Sequence, residues 1–449
     1  MKHLNFLLPG ALFLASVLSG QSTFPKDPAI QSYVDKVHQD SLKAHIEKLV
    51  SFGTRHTLSS TTDTQRGIGA ARQWVLSKFH NYAKNSSGRM EVFLQSKQLV
   101  SDGKRINRTT DLGNAVAVLK GTDPLDKRVF IIGGHLDSRV SDVMDALSDA
   151  PGANDDGSGV GAVLEAARVL SSARFPATIV FVAFSGEEQG LLGAHSLVEY
   201  AKKNNWHIEG VLNNDMIGNA VASETNEYNA HQVRIFSEGL PYYELDKKAS
   251  RIRSLGLEND GISRQLARRI KQAEVYVDHL EVKLNYRNDR FLRGGDHTAF
   301  VMAGYPGVRI TEFNENYNHQ HQDLRTSNGI EYGDKIEFMD FLYYRKNTQL
   351  NIAALASMAK APARPENVQM PVSELTNTTT LRWSAPQSGK AAGYRVLMRE
   401  TDQSNWQKSY YTSELQLTLP YSKDNYFFAV QSVDSHGNSS IAVIPEVSR

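Results

Sequence analysis

Three observations predict an α/β fold, with a mixed, largely parallel sheet sandwiched by helices, followed by a small all-β sandwich. Continuous apolar runs alternate with helix-period segments through most of the 449 residues. Polar, chemistry-bearing residues fall just past those apolar runs. At "APARPENV" the texture changes, and short period-two stretches replace helices.

The elements follow in order. Residues 1–22, "MKHLNFLLPGALFLASVLSGQS", place a basic start before a short apolar run and small residues, the layout of a signal peptide. The expected location is therefore secreted or periplasmic. Residues 23–360 form the expected α/β domain. "DSLKAHIEKLVSF" and "RGIGAARQWVLSKFHNYA" carry the 3.6-residue apolar rhythm of helices. "RVFIIGG" (128–134), "ATIVFVAF" (177–184), "GVLNND" (210–215) and "GVRITEF" (307–313) suit buried, largely parallel strands. Between the first two, "GSGVGAVLEAARVLSS" reads as a crossover helix. The stretch 222–262 breaks the rhythm and is read as an insertion over one sheet edge. Residues 364–449 read as a β-sandwich with Trp383 in its core; "RW" and "YFFAVQSVD" resemble a fibronectin type III module.

Composition narrows the function. Lys plus Arg number 50 against 49 for Asp plus Glu, which gives no electrostatic support for nucleic acid as a partner. After the N-terminal run no segment offers the roughly 18 unbroken apolar residues of a membrane span. The absence of cysteine excludes a thiol nucleophile, thiolate metal sites and disulfides. Asn-x-Ser/Thr sequons occur at Asn85, Asn107, Asn377 and Asn438.

The residues past the strands form a pattern. His135 and Asp137 follow the first, Asp155 and Asp156 a loop, Glu187 and Glu188 the second. Asp215 follows the third, and His319, His321 and Asp323 the fourth. The carboxyl ends of parallel strands open onto one crevice, so these residues are expected to converge. Imidazoles and carboxylates without thiols suit a divalent ion, and imidazole tilts the choice to zinc. So many carboxylates suit two ions sharing one of them. If one glutamate of the adjacent pair is a ligand, its neighbour can serve as general base.

"GGHLDS", "PGANDDGSG", "SGEEQGLLGA", "NDMIG", "GGDHTAF" and "NYNHQHQD" together resemble the secreted two-zinc aminopeptidases, relatives of glutamate carboxypeptidase and glutaminyl cyclase. The likeness runs in order over roughly residues 40 to 360. It implies a zinc exopeptidase fold and two Zn²⁺ per chain. His135 and Asp215 would hold one ion, Glu188 and His319 the other, and Asp155 would bridge them. It implies Glu187 as the base acting on the shared water, and Asp137 as the carboxylate that orients His135. It also implies a cis peptide bond after Asp155. His319 is preferred to His321 because the family's last histidine precedes an acid by four residues, here Asp323. For the oxyanion the resemblance offers Tyr317, with Arg293 as the alternative. Asp296 and His297 are read as ligand neighbours or loop braces.

The implied substrate is a peptide or protein with a free amino terminus. A carboxypeptidase, dipeptidase or glutaminyl cyclase on the same site is the rival, the first needing a basic cluster such as Arg290 and Arg293. A non-catalytic, calcium-binding receptor is the rival from another class, disfavoured by the histidines. Oligomeric state and the preferred first residue are not readable.

Overall fold

The four continuous apolar runs become the centre of the sheet. In this computed structural model, which describes residues 26–240 and 250–448, they form β3 (Arg128–His135), β4 (Thr178–Phe184), β5 (His207–Asn214) and β8 (Gly307–Glu312). They lie side by side in the order β4-β3-β5-β8, all parallel. The segment read as a signal peptide lies outside the described residues.

Both faces of these strands are covered, which explains the unbroken apolar texture. On β4, Ile179, Phe181 and Ala183 join the core on one face, while Val180, Val182 and Phe184 join the core on the other. The larger core packs against α2 (Gln39–Val50), α3 (Gly67–Ala83), α4 (Gly157–Leu170) and the long C-terminal α8 (Phe341–Lys360). The smaller core is closed by α5 (Leu192–Lys203) and α7 (His297–Met302). α4 approaches β3 so closely that a Cβ on Gly134 would lie 2.5 Å from the Gly159 carbonyl carbon. The glycines of "GSGVG" make that approach possible.

The sheet is wider than the sequence indicated. β1 (Met90–Leu99) and β2 (Thr110–Leu119) extend it antiparallel beyond β4. Beyond β8 come β6 (Gln232–Ser237), antiparallel to it, and β7 (Glu281–Asn285), giving eight strands in all. Part of the stretch expected to lie over the sheet edge is thus a strand of the sheet itself. Val233 and Ile235 are fully buried, so the alternation of β6 serves the same core.

After α8 the chain builds two small sheets. One orders Gln416–Leu419, Thr379–Ser384, Glu366–Pro371 and Glu446–Ser448, and the other Lys408–Thr412, Gly393–Glu400 and Tyr426–Val433. Trp383 is buried and packs against Tyr394 at 5.3 Å between ring centroids. This module meets the first through guanidinium groups on α6 (Ile262–Lys271). Asp260 accepts from Arg268 of that helix on one oxygen and from Arg399 of the module on the other. Arg269 donates to the Ser439 carbonyl, and Asp27 accepts from both Lys360 and Asn438. The Asn438 sequon is therefore buried in a contact, whereas Asn85, Asn107 and Asn377 are exposed. Among the described residues no helix is long and apolar enough to cross a membrane.

Candidate metal centre

The carboxyl ends of β3, β4, β5 and β8 deliver the expected residues to one place. His135 is the last residue of β3, and Asp155 sits in the loop just before α4. Its peptide bond to Asp156 is cis, as the resemblance implied. Asp156 caps α4 by accepting from Gly159 N, and also accepts from His135 N and Met216 N, so one carboxylate ties three segments together.

Two triads share Asp155. His135, Asp155 and Asp215 form one, and Asp155, Glu188 and His321 the other, each with its ligand atoms within 4.8 Å of one another. Asp155 Oδ1 lies 3.1 Å from His135 Nε2, and Oδ2 lies 2.9 Å from His321 Nε2. His321 Nε2 is 2.8 Å from Glu188 Oε1, an oxygen that nevertheless has no hydrogen-bond partner. Such atoms converge on a common point rather than bonding to each other. Two imidazole nitrogens and three carboxylates, nearly all buried, fit zinc in both donor chemistry and arrangement.

The expectation that His319 is the last ligand is corrected. Its ring stacks on Phe338, with centroids 3.6 Å apart and planes 4° from parallel, and burial lowers its imidazole to about 4. His321 instead reaches the cluster from a left-handed backbone with φ of 52°. The acid four residues after His319, Asp323, is taken by Ser141 N and Oγ. Spacing to an acid was therefore the wrong guide.

The role expected of Asp137 is also different in detail. His135 Nδ1 donates to the Asp137 main-chain carbonyl at 3.0 Å, while the carboxylate stands 3.9 Å away. The carboxylate instead accepts from the backbone N–H groups of Gly186, Glu187 and Glu188, and from Thr57 Oγ1. It shapes the turn that carries the adjacent glutamates.

Those glutamates occupy opposite environments. Burial, with Glu188, Asp215 and Asp296 adding to it, pushes Glu187 well above the usual carboxylate range. Burial acts on Glu188 in the same sense, but His321 and Arg139 outweigh it and bring it down to about 2. Such divergence within a pair separates an acid-base group from a charge-bearing one.

Several residues at the site carried no sequence signal. The fully buried Arg309 pairs with Asp215 Oδ1 at 2.8 Å and donates to Asp289 Oδ2 and to the Gly294 carbonyl. Asp334 accepts from the N–H groups of Asn154 and Asp155, and burial raises it to about 7. Arg139 Nε donates to Glu188 Oε2 at 2.8 Å, and Nη2 lies 2.7 Å from His321 Nδ1. Burial disfavours a charge on His321, yet Glu188 and Asp155 raise it to about 9. Of the remaining candidates, Asp296 is buried with neither oxygen bonded, and His297 Nε2 faces the Asn288 carbonyl. Tyr317 stays 49% exposed on the His321 loop, and Arg293 is exposed as well.

Comparison with known proteins agrees with this geometry. Residues 114–334 match the model of peptidase family M28. A probable zinc metalloprotease of Leptosphaeria maculans is 44% identical over 93% of this chain and 96% of its own. Among solved structures, the LapA aminopeptidase of Legionella pneumophila superposes with a TM-score of 0.52 at 19% identity, over 80% of each chain. A glutaminyl cyclase of Macrostomum lignano gives a TM-score of 0.52 at 14% identity, covering 75% of this chain and 95% of the cyclase. At such identities these last two speak for the fold alone. With an M28 match over the site and a metalloprotease relative over nearly the whole length, the chain belongs to peptidase family M28 and is a zinc metallopeptidase.

Proposed function

We propose that the chain is a secreted aminopeptidase that removes the first residue of peptides and proteins, with two zinc ions. The observation that carries the two-ion reading is Asp155, which offers one oxygen to each of two triads. His135 and Asp215 would hold one ion, Glu188 and His321 the other. Zinc held there would supply a water of pKa lowered toward about 7 and a Lewis acid for the scissile carbonyl. Glu187, only partly buried beside the cluster, accepts the proton of the attacking water on its carboxylate and passes it to the leaving amine. Asp137 holds Glu187 at that height through the turn's backbone. Tyr317, on the loop that carries His321, is the candidate donor to the developing oxyanion, with Arg293 as the alternative.

A free amino terminus suits a site walled by carboxylates. Arg290, the cation a carboxypeptidase could use, is held by Asp289 and Glu315, which favours the aminopeptidase reading over that rival. Secretion is supported by the layout of residues 1–22. The C-terminal module, which resembles fibronectin type III, is read as an aid to binding or attachment.

The test is hydrolysis of amino-acid p-nitroanilides and their N-acetylated forms, with a chelator and with zinc added back. Hydrolysis confined to the free-amine substrates, lost with the chelator and restored by zinc, is expected. Equal rates on blocked substrates would overturn the assignment.

A further inference from the structure

Each of the three carboxylates of the cluster is held by a different side chain. Asp215 pairs with Arg309 and Glu188 with Arg139, both at 2.8 Å. Asp155, the one that both triads share, is held by a neutral group: its Oδ2 accepts from Gln320 Nε2 at 3.2 Å.

Gln320 stands between the two histidines of the motif, and the chain turns it inward. Its N–H and that of His319 both donate to the Asn316 carbonyl, which closes a turn. The side chain that results is buried, 7% exposed. Its amide can point only one way, because the opposite orientation would set Oε1 against Asp155 Oδ2, acceptor against acceptor. As it stands, Oε1 is buried with no protein group bonded to it. A fold that leaves one acceptor of an amide unpaired is keeping the donor where it is.

A neutral donor suits this place. A carboxylate oxygen carries two lone pairs, so Nε2–H can occupy one on Oδ2 and leave the other toward Glu188 and His321. A guanidinium there would confront both proposed cations at once, whereas an amide fixes the rotation of the carboxylate without adding charge. Asp334 fixes the same residue through its backbone, accepting from the Asp155 N–H at 2.7 Å.

We infer that Gln320 is a positioning residue for the shared carboxylate: by holding Oδ2 it sets the rotation that offers one Asp155 oxygen to each triad. The inference rests on the two-zinc reading above.

Zinc titration of the full-length, metal-free protein against a chromophoric chelator tests it, on wild type, Gln320→Met and Gln322→Met. Methionine keeps the length of the side chain and removes the amide. Gln322, on the same loop, donates to the Tyr317 carbonyl and accepts from Arg325, so its replacement disturbs the loop without touching Asp155. Two zinc ions per chain are expected in wild type. In Gln320→Met their combined affinity falls about 10–100-fold, the usual effect of losing a group that orients a metal ligand. Gln322→Met binds as wild type does. The metal-free melting temperature of Gln320→Met is no lower than that of wild type, because the unpaired acceptor leaves together with the donor. Three outcomes overturn the inference and leave the two-zinc reading intact: unchanged zinc affinity in Gln320→Met, an equal loss in Gln322→Met, or a loss accompanied by a lower metal-free melting temperature. A single zinc in wild type overturns that reading, and the inference with it.

Discussion

His319 and His321 stand two positions apart, one stacked on Phe338 and the other against Asp155 and Glu188. His321→Ala is expected to lose about one zinc per chain by metal analysis, and nearly all turnover, whereas His319→Ala keeps its zinc. Glu187→Gln should lower kcat by about 10²–10⁴, the usual contribution of a general base, with metal content unchanged. His45 makes a prediction far from the site. Burial lowers its imidazole to about 4, against the opposing effect of Glu165. In the unfolded chain it titrates near 6.5, so between pH 6.5 and 4 the unfolded state binds more protons and stability falls with pH. The loss is about 3 kcal/mol for this group, fully developed only near pH 4. Urea unfolding of His45→Gln across that range should show a shallower decline than wild type.

At the scale of elements, the turn after β4 depends on one carboxylate. Asp137 accepts three successive backbone N–H groups, so Asp137→Ala leaves buried donors unpaired and displaces both glutamates. A loss of about 2–4 kcal/mol in urea unfolding, together with a fall in kcat, is expected. The four central strands, the crossover helix α4 and four of the five residues of the two triads were legible because burial on both faces and position at a strand end leave marks on short stretches. β1 was not, since an edge strand with one open face mixes polar residues into its run, as "MEVFLQSKQL" does. Arg309 and Asp334 were invisible for another reason. Their partners lie at Asp215, Asp289 and Asp155, and no local pattern records a pairing across such separations. His321 was misread because the direction its ring takes is set by a left-handed φ, which no spacing rule encodes.

For the whole molecule, the C-terminal module is bound in by buried charge. Asp260 sits between Arg268 and Arg399, and Arg269 spends a bond on the Ser439 carbonyl. Removing the module takes Arg399 from Asp260, the Ser439 carbonyl from Arg269 and Ile441 from the larger core. A chain ending after residue 362 is therefore expected to aggregate or to unfold at markedly lower temperature, measured by solubility and calorimetry. It should not behave as a free catalytic unit. The cradle for metal has a temporal counterpart to this interdependence. Its ligand segments run from His135 to His321, and its bridging aspartate is fastened from behind by Asp334. Contacts so distant in the chain close late in folding. Acquiring metal is thus among the last events of maturation, and a half-made chain emerging from synthesis carries no working blade.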